Sequence, residues 1–192
     1  MAAGSGFAIG RFLEGKLAIV TGGGAGIGQA IALKLATLGA VVVVAGRRKE
    51  KLAETVRLAE SAGGKAIAIP CDVAHEDDVL ELFRQVDQMG KLEILVNNAG
   101  IGIFKQLAET SLEDWEAVMG TNLRGAFLCS REAMKRMAGR GGRIVNIGSV
   151  VSMKGYATQG AYTASKHGLL GLTKVMAAEG QKDNIIAQAV LP

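Results

Sequence analysis

The chain predicts an α/β fold built on a doubly wound parallel sheet, and three observations carry the prediction. Short apolar runs rich in β-branched residues alternate with segments of helical period along the chain. The runs are continuously apolar, the pattern of strands buried on both faces of a parallel sheet. The first run leads directly into a glycine-rich turn that opens a helix. Right-handed crossovers then favour helices on both faces and a ligand crevice at the strands' C-terminal ends.

Six strands follow in order. LAIV at 17–20 reads as the first, and QAIALKLATLG at 29–39 as a helix stopped by Gly39. VVVVA at 41–45 is the second strand, with a charged helix after it from about Glu50 to Ser61, ending at Gly63 and Gly64. AIAIPC at 66–71 is the third, and the helix HEDDVLELFRQVDQMG places its acids at the start, where the helix dipole favours them. ILVNN at 94–98 is the fourth. Thr110-Ser111-Leu112-Glu113 has the capping-box pattern, opening a long helix to about Met137. RIVNIG at 143–148 is the fifth strand, a helix carrying Tyr162 follows, and IIAQAVL at 185–191 is the sixth. No internal boundary or linker interrupts this order. Residues 1–13 lack a basic start followed by a long apolar run, so they read as a loose leader before a single domain at 14–192.

Composition narrows the function classes. The chain is 49% hydrophobic and 21% charged, ordinary for a soluble globular domain. Its net charge of +4 is local: Arg47, Arg48 and Lys49 form one cluster, and Lys135, Arg136, Arg140 and Arg143 surround a glycine-rich turn. No long basic stripe interleaved with aromatics points to nucleic acid, so a small polyanionic ligand accounts better for the charge. No apolar run reaches the ~18 residues of a membrane span. Cys71 and Cys129 are far apart, and with His75 and His167 they make no metal-ligand spacing. Two reduced thiols suit a cytoplasmic protein. Cys71 reads as a buried strand residue, His75 as exposed, His167 as structural and Trp115 as packing.

Three clusters carry chemistry. Thr21-Gly22-Gly23-Gly24-Ala25-Gly26-Ile27-Gly28 lies between a strand and a helix, where glycines let a phosphate approach free N–H groups. Its spacing, G-x-x-x-G-x-G, differs from the commoner G-x-G-x-x-G of dinucleotide sites. After the second strand an acid would bind the ribose 2′-hydroxyl of NAD, but here stand Arg47 and Arg48, whose guanidiniums suit a 2′-phosphate. NADP(H) is therefore the preferred cofactor, with NAD(H) the alternative. Tyr162 and Lys166, four apart, share a helix face, and an ammonium there favours the phenolate. Ser149 ends the fifth apolar run, positioned to donate to a carbonyl oxygen.

With these residues in order, the chain resembles the short-chain dehydrogenase/reductase family over about residues 14–192, with a Rossmann-type fold. The matches are T-G-x-x-x-G-x-G at 21–28, Asp72, N-N-A-G at 97–100, Asn122, Ser149 and Y-x-x-x-K at 162–166. The resemblance implies Tyr162 as general acid/base, Lys166 as its pKa-lowering and ribose-binding partner, and Ser149 as the group orienting the carbonyl. It implies Asn122 in a water-linked proton path to the lysine. It also implies cofactor contacts from Gly22, Gly26, Ile27, Gly28, Asp72, Val73, Asn98, Ala99 and Gly100, besides Tyr162 and Lys166.

The general look is that of 3-oxoacyl-carrier-protein reductases and related alcohol dehydrogenases. The expected activity is hydride transfer between a nicotinamide and a carbonyl or secondary alcohol of a small molecule, in a homodimer or homotetramer packed through the helices at 111–137 and 162–179. Two other readings stay open: an NAD-dependent alcohol dehydrogenase, and a non-catalytic dinucleotide-binding or assembly module. The resemblance also departs at the end. Ile186-Ala187-Gln188 replace the usual Arg-Val-Asn, and after Pro192 the family continues with a substrate-covering helix and a last strand. The chain thus reads as C-terminally incomplete, with its activity in isolation open.

Overall fold

The structure, a computed structural model, describes residues 10–192; residues 1–9, most of the expected leader, lie outside the described residues. The strands are β1 (Leu17–Thr21), β2 (Val41–Gly46), β3 (Lys65–Pro70), β4 (Leu92–Asn97), β5 (Gly142–Ile147) and β6 (Ile185–Val190). They form one parallel sheet in the order β3-β2-β1-β4-β5-β6. The helices are α1 (Gly26–Thr37), α2 (Lys49–Ser61), α3 (Glu76–Asp87), α4 (Leu112–Met119), α5 (Gly125–Met137) and α6 (Gly160–Gly180). Every strand of the sequence reading is present, with its ends moved by a residue or two.

Alternation along each strand divides the core. Leu17, Ile19, Val43 and Leu95 face the apolar sides of α3, α5 and α6, through Leu82, Phe83, Ala133 and Met176. Ala18, Val20, Val42 and Val44 face α1 and α2, through Ala32, Ala36, Leu52 and Ala59. Leu13, assigned by sequence to the leader, donates its N–H to the Leu38 carbonyl at 2.9 Å and packs on this second cluster. The expectation of a sheet covered on both faces needs one correction. In β6, Ile185 and Ala187 are buried, but Ile186 and Val190 remain 49% and 44% exposed on the opposite face.

Two local expectations also change. The capping box is one residue later than the sequence pattern: Ser111 Oγ accepts from the Asp114 N–H at 3.1 Å, and the Asp114 carboxylate accepts from the Ser111 N–H. Thr110 instead closes a preceding turn, its hydroxyl donating to the Gln106 carbonyl. The long helix is not a uniform rod either. A π-helical turn, Gly120–Arg124, separates α4 from α5. Such turns insert an extra residue into the ladder and shift side chains around the axis.

The sheet also carries a buried polar chain. Asn97 and Asn146 are paired in the β4–β5 register, and Asn97 Nδ2 donates to Asn146 Oδ1 and to Ser130 Oγ, both at 2.8 Å. Asn146 Nδ2 donates to Thr173 Oγ1 at 2.8 Å, which donates to the Leu169 carbonyl. The chain joins β4 and β5 to α5 and α6. Replacing Asn146 by Ala strands buried partners on both sides, so a loss of about 2–4 kcal/mol of unfolding free energy is expected in urea titrations.

Candidate active site

β1 delivers Thr21 and the glycine turn to the centre of the sheet edge. Gly22 has φ +65°, a left-handed geometry costly for other residues. At Gly28 a Cβ would come within 2.3 Å of both the Gly22 carbonyl and Asn98 Nδ2, so that position has no room for a side chain. The turn is clipped to the end of β4. Asn98 Nδ2 donates to the carbonyls of Thr21 (3.0 Å) and Gly22 (3.3 Å), while Thr21 Oγ1 accepts from the N–H groups of Asn98 and Ala99.

Above this clip lies a cleft of about 370 Å³. It gathers Gly22, Ile27, Gly28, Arg47, Arg48, Asp72, Val73, Asn98, Ala99 and Gly100 from the sequence-predicted set. Gly26, with φ +57°, shapes the turn but does not line the cleft, and neither do Ser149, Asn122, Tyr162 or Lys166. Gly24 and Ala25 of the glycine turn also line it, as do Cys71 and, outside the expected contacts, Gly46, Lys51, Leu52, Ile101 and Thr121. Lys51 is the most consequential of these. A cation in the first turn of a charged helix looks like solvated surface until its backbone is placed beside Gly24.

Electrostatics around the cleft are asymmetric. Arg47 Nη1 lies 3.7 Å from Asp72 Oδ2, a loose and exposed pair, and Asp72 also accepts from the Ala74 N–H. Arg48 is the N-cap residue of α2 and has no ion pair among the described residues. The second basic cluster is different. Lys135 and Arg136 bond buried Glu132, and Arg136 also forks onto Asp87 at 2.7 and 2.8 Å. The polyanion reading is therefore corrected for Lys135 and Arg136, which carboxylates of α3 and α5 already engage, whereas Arg140 bonds the Arg136 carbonyl and Arg143 the Gln188 amide oxygen. Cys71 lines the cleft wall, but burial pushes its thiol up to about 12, against a role as nucleophile.

Of the remaining predicted residues, Tyr162 and Lys166 lie on α6 and Ser149 follows β5. Lys166 is buried, and its Nζ donates to the Ile147 carbonyl at 2.6 Å while lying 5.7 Å from the centre of the Tyr162 ring. Burial pulls the Lys166 pKa down to about 8. Ser149 caps a short turn, Val150–Ser152; its hydroxyl has one long contact, to the Val151 N–H at 3.4 Å, and keeps its own hydrogen free to donate. Phe104, absent from the sequence reading, meets the Tyr162 ring edge-on at 5.9 Å. No local pattern could reveal that pair, 58 positions apart in sequence.

Asn122 lies in the π-helical turn and is buried. Its Oδ1 accepts from the Ile101 N–H at 2.8 Å, and its Nδ2 donates to the Ile101 carbonyl at 2.9 Å and Ser165 Oγ at 3.1 Å. Ser165 in turn donates to the Tyr162 carbonyl at 2.7 Å. The side chain thus joins the loop after the fourth strand to the helix bearing Tyr162 and Lys166. Among the described residues no group of three or more His, Cys, Asp or Glu side chains is arranged to hold a metal ion. No helix among them is long and apolar enough to cross a membrane.

Comparisons with known proteins agree with this fold. The family model described as short chain dehydrogenase matches residues 16–192. A 3beta-hydroxysteroid dehydrogenase of Mediterraneibacter gnavus is 44% identical over 189 residues, an alignment covering 97% of this chain and 68% of that protein. A 3-oxoacyl-[acyl-carrier-protein] reductase of Synechocystis is 41% identical, with 94% of this chain and 74% of that protein covered. Among solved structures, the citronellol catabolism dehydrogenase of Pseudomonas aeruginosa PAO1 superposes with a TM-score of 0.91 at 36% identity, over 95% of this chain and 76% of that one.

The buried lysine has a measurable signature. With a folded pKa of about 8 against ~10.4 in the unfolded chain, the unfolded state binds the extra proton between these values. Ligand-free stability should therefore rise with pH across that window, the cost of the buried ammonium being present in full below it. Lys166→Met should remove on the order of 3 kcal/mol of this rise. Chemical denaturation of both proteins from pH 7.5 to 10.5 checks it.

Proposed function

The chain belongs to the short-chain dehydrogenase family of NAD(P)-dependent oxidoreductases, and on that premise we propose that it interconverts a carbonyl and a secondary alcohol with NADP(H), using Tyr162 as general acid/base. The observation that carries this reading is the buried Lys166 ammonium on the same helix face as Tyr162, 5.7 Å from its ring. A cation held in a low-dielectric position acts strongly on charge that develops beside it during proton transfer.

The residues present fit a dinucleotide. Gly28, with no side chain, lets the turn close on the Gly22 carbonyl and Asn98, and the cleft beside it runs from the glycine turn to Arg47, Arg48 and Asp72. Gly22, Ile27 and Gly28 would hold its phosphates in a turn that Gly26 shapes, Asp72 and Val73 its adenine, and Asn98, Ala99 and Gly100 would face it from the end of the fourth strand. When bound, the nicotinamide supplies or accepts the hydride.

The chain's own residues do the rest. Tyr162 gives a proton to the carbonyl oxygen during reduction and removes it from the alcohol during oxidation. Ser149, with its hydrogen free, donates to the same oxygen and stabilises the charge developing there. Lys166, anchored on the Ile147 carbonyl, keeps positive charge beside the phenol. Asn122 holds the Ile101 backbone on one side and, through Ser165, the Tyr162 turn on the other. Its amide protons are both engaged by protein, so any water-linked path to Lys166 would run from the π-helical backbone or the remaining Oδ1 lone pair.

The preference for NADP(H) rests on Arg47 and Arg48 standing where an acid would bind a free 2′-hydroxyl. Self-association is part of the same proposal. Met119, Leu123, Phe127 and Leu172 from α4, α5, α6 and the π-helical turn line an apolar hollow of about 490 Å³ at the surface. A strictly monomeric chain at micromolar concentration in analytical ultracentrifugation would overturn this part.

Two measurements address the remainder. Tyr162→Phe should lower turnover by at least about a thousandfold while leaving nucleotide affinity within about threefold, since only the proton is lost. Unchanged turnover would remove Tyr162 from the chemistry. Fluorescence titration should show tighter binding of NADPH than of NADH, with Arg47→Ala and added salt each narrowing the difference. A preference for NADH would overturn the cofactor assignment and leave the Tyr162 proposal standing.

A further inference from the structure

Lys51 occupies an unusual position for a surface lysine. It lines the same cleft as Arg47, Arg48 and Gly24. A Cβ placed on Gly24 would lie 3.1 Å from Lys51 Cβ and 3.3 Å from its carbonyl carbon, so the first turn of α2 rests directly on the glycine turn. One helical turn further on, fully buried Thr55 fastens this contact. Its hydroxyl lies 3.0 Å from the Gly23 carbonyl and 3.1 Å from the Lys51 carbonyl, and accepts from Gln29 Nε2 at 3.0 Å. The backbone of Lys51 is therefore held in register with the phosphate turn by groups from α1 and α2 together.

The ammonium itself is not committed to the cleft. It bonds Glu54 Oε2 at 2.9 Å, and both side chains are about half exposed, at 50% and 40%. An exposed pair of this kind is weak and exchanges readily. Of the neighbouring cations, Arg47 is shared with Asp72 at 3.7 Å, whereas Arg48 has no carboxylate partner among the described residues.

We propose that Lys51 is a specificity-determining residue of the cleft: it exchanges Glu54 for the phosphomonoester of a nucleotide phosphorylated on its ribose, and Glu54 sets how readily it does so. A phosphomonoester carries more negative charge than a carboxylate and offers more acceptor oxygens, so it competes successfully for the ammonium. A ribose hydroxyl does not, which makes the residue selective rather than merely attractive. The inference rests on the NADP(H) reading of the cleft and adds to it a third cation, one with an internal competitor.

Calorimetric titration of the chain with 2′,5′-ADP and with 5′-ADP, at low salt, tests it through two surface substitutions. Lys51→Met should weaken 2′,5′-ADP about five- to tenfold and leave 5′-ADP unchanged. Glu54→Gln should tighten 2′,5′-ADP about two- to threefold, again without affecting 5′-ADP. Equal loss of both ligands in Lys51→Met, or no loss of either, overturns the assignment of Lys51 while the parent chain's preference for 2′,5′-ADP upholds the cofactor reading. A parent chain that prefers 5′-ADP, or binds neither nucleotide, overturns that reading and this inference with it.

Discussion

The parallel pairing of β1 with β4 is the constraint on which the rest of the molecule depends. From β1 the chain winds outward through β2 and β3, and from β4 it winds the other way through β5 and β6. The connections leaving β1 and β4 therefore diverge to opposite faces, and the crevice between them is the natural ligand site of such a sheet. Its width is set by the bonds of Asn98 and Thr21, which tie the glycine turn to the end of β4. With the turn held there, α1 begins at the bottom of the cleft and α2 brings its cations to the rim.

Buried polar groups provide the second support. The Ser130–Asn97–Asn146–Thr173 chain bridges two strand ends to α5 and α6, and the Asn122–Ser165 link ties the π-helical turn to α6. Their worth is geometric. In an apolar interior an unpaired amide is costly, so the arrangement that satisfies each of these bonds is favoured over small displacements. The same low polarity acts on Lys166, whose charge is tolerated because the Ile147 carbonyl accepts from it. The π-helical turn belongs to this scheme, since it places Asn122 where its side chain reaches the Ile101 backbone on both its donor and acceptor sides.

Charge on this protein has meaning only with its partners. Arg136 and Arg47 look alike as members of basic runs, but carboxylates from α3 and α5 enclose Arg136, and only a loose contact engages Arg47. Burial makes the difference. Glu132 is almost wholly covered and its carboxyl sits below the usual range: although burial acts to raise it, the bonds from Lys135, Arg136 and Arg131 outweigh that effect. The cations around the cleft stand in water, where pairing is weak and exchange with a ligand is inexpensive.

Much was legible in the sequence because it depends on local pattern. Continuous apolar runs located six strands, the glycine turn marked the cleft end of the sheet, and the four-residue spacing of Tyr162 and Lys166 put them on one helix face. What required the tertiary structure involves contacts between distant segments. The shift of the capping box from Thr110 to Ser111 follows from a turn closed by Gln106, and the break at Asn122 serves Ile101, 21 positions away. Phe104 against Tyr162 and Lys51 over Gly24 are likewise products of packing. Sequence by itself determined the fold class and singled out the candidate reactive side chains, because periodicity and residue type are local properties. Only the folded chain decided which cations remain available to the cleft and how Lys166 is charged, because desolvation and pairing depend on what surrounds a group in space.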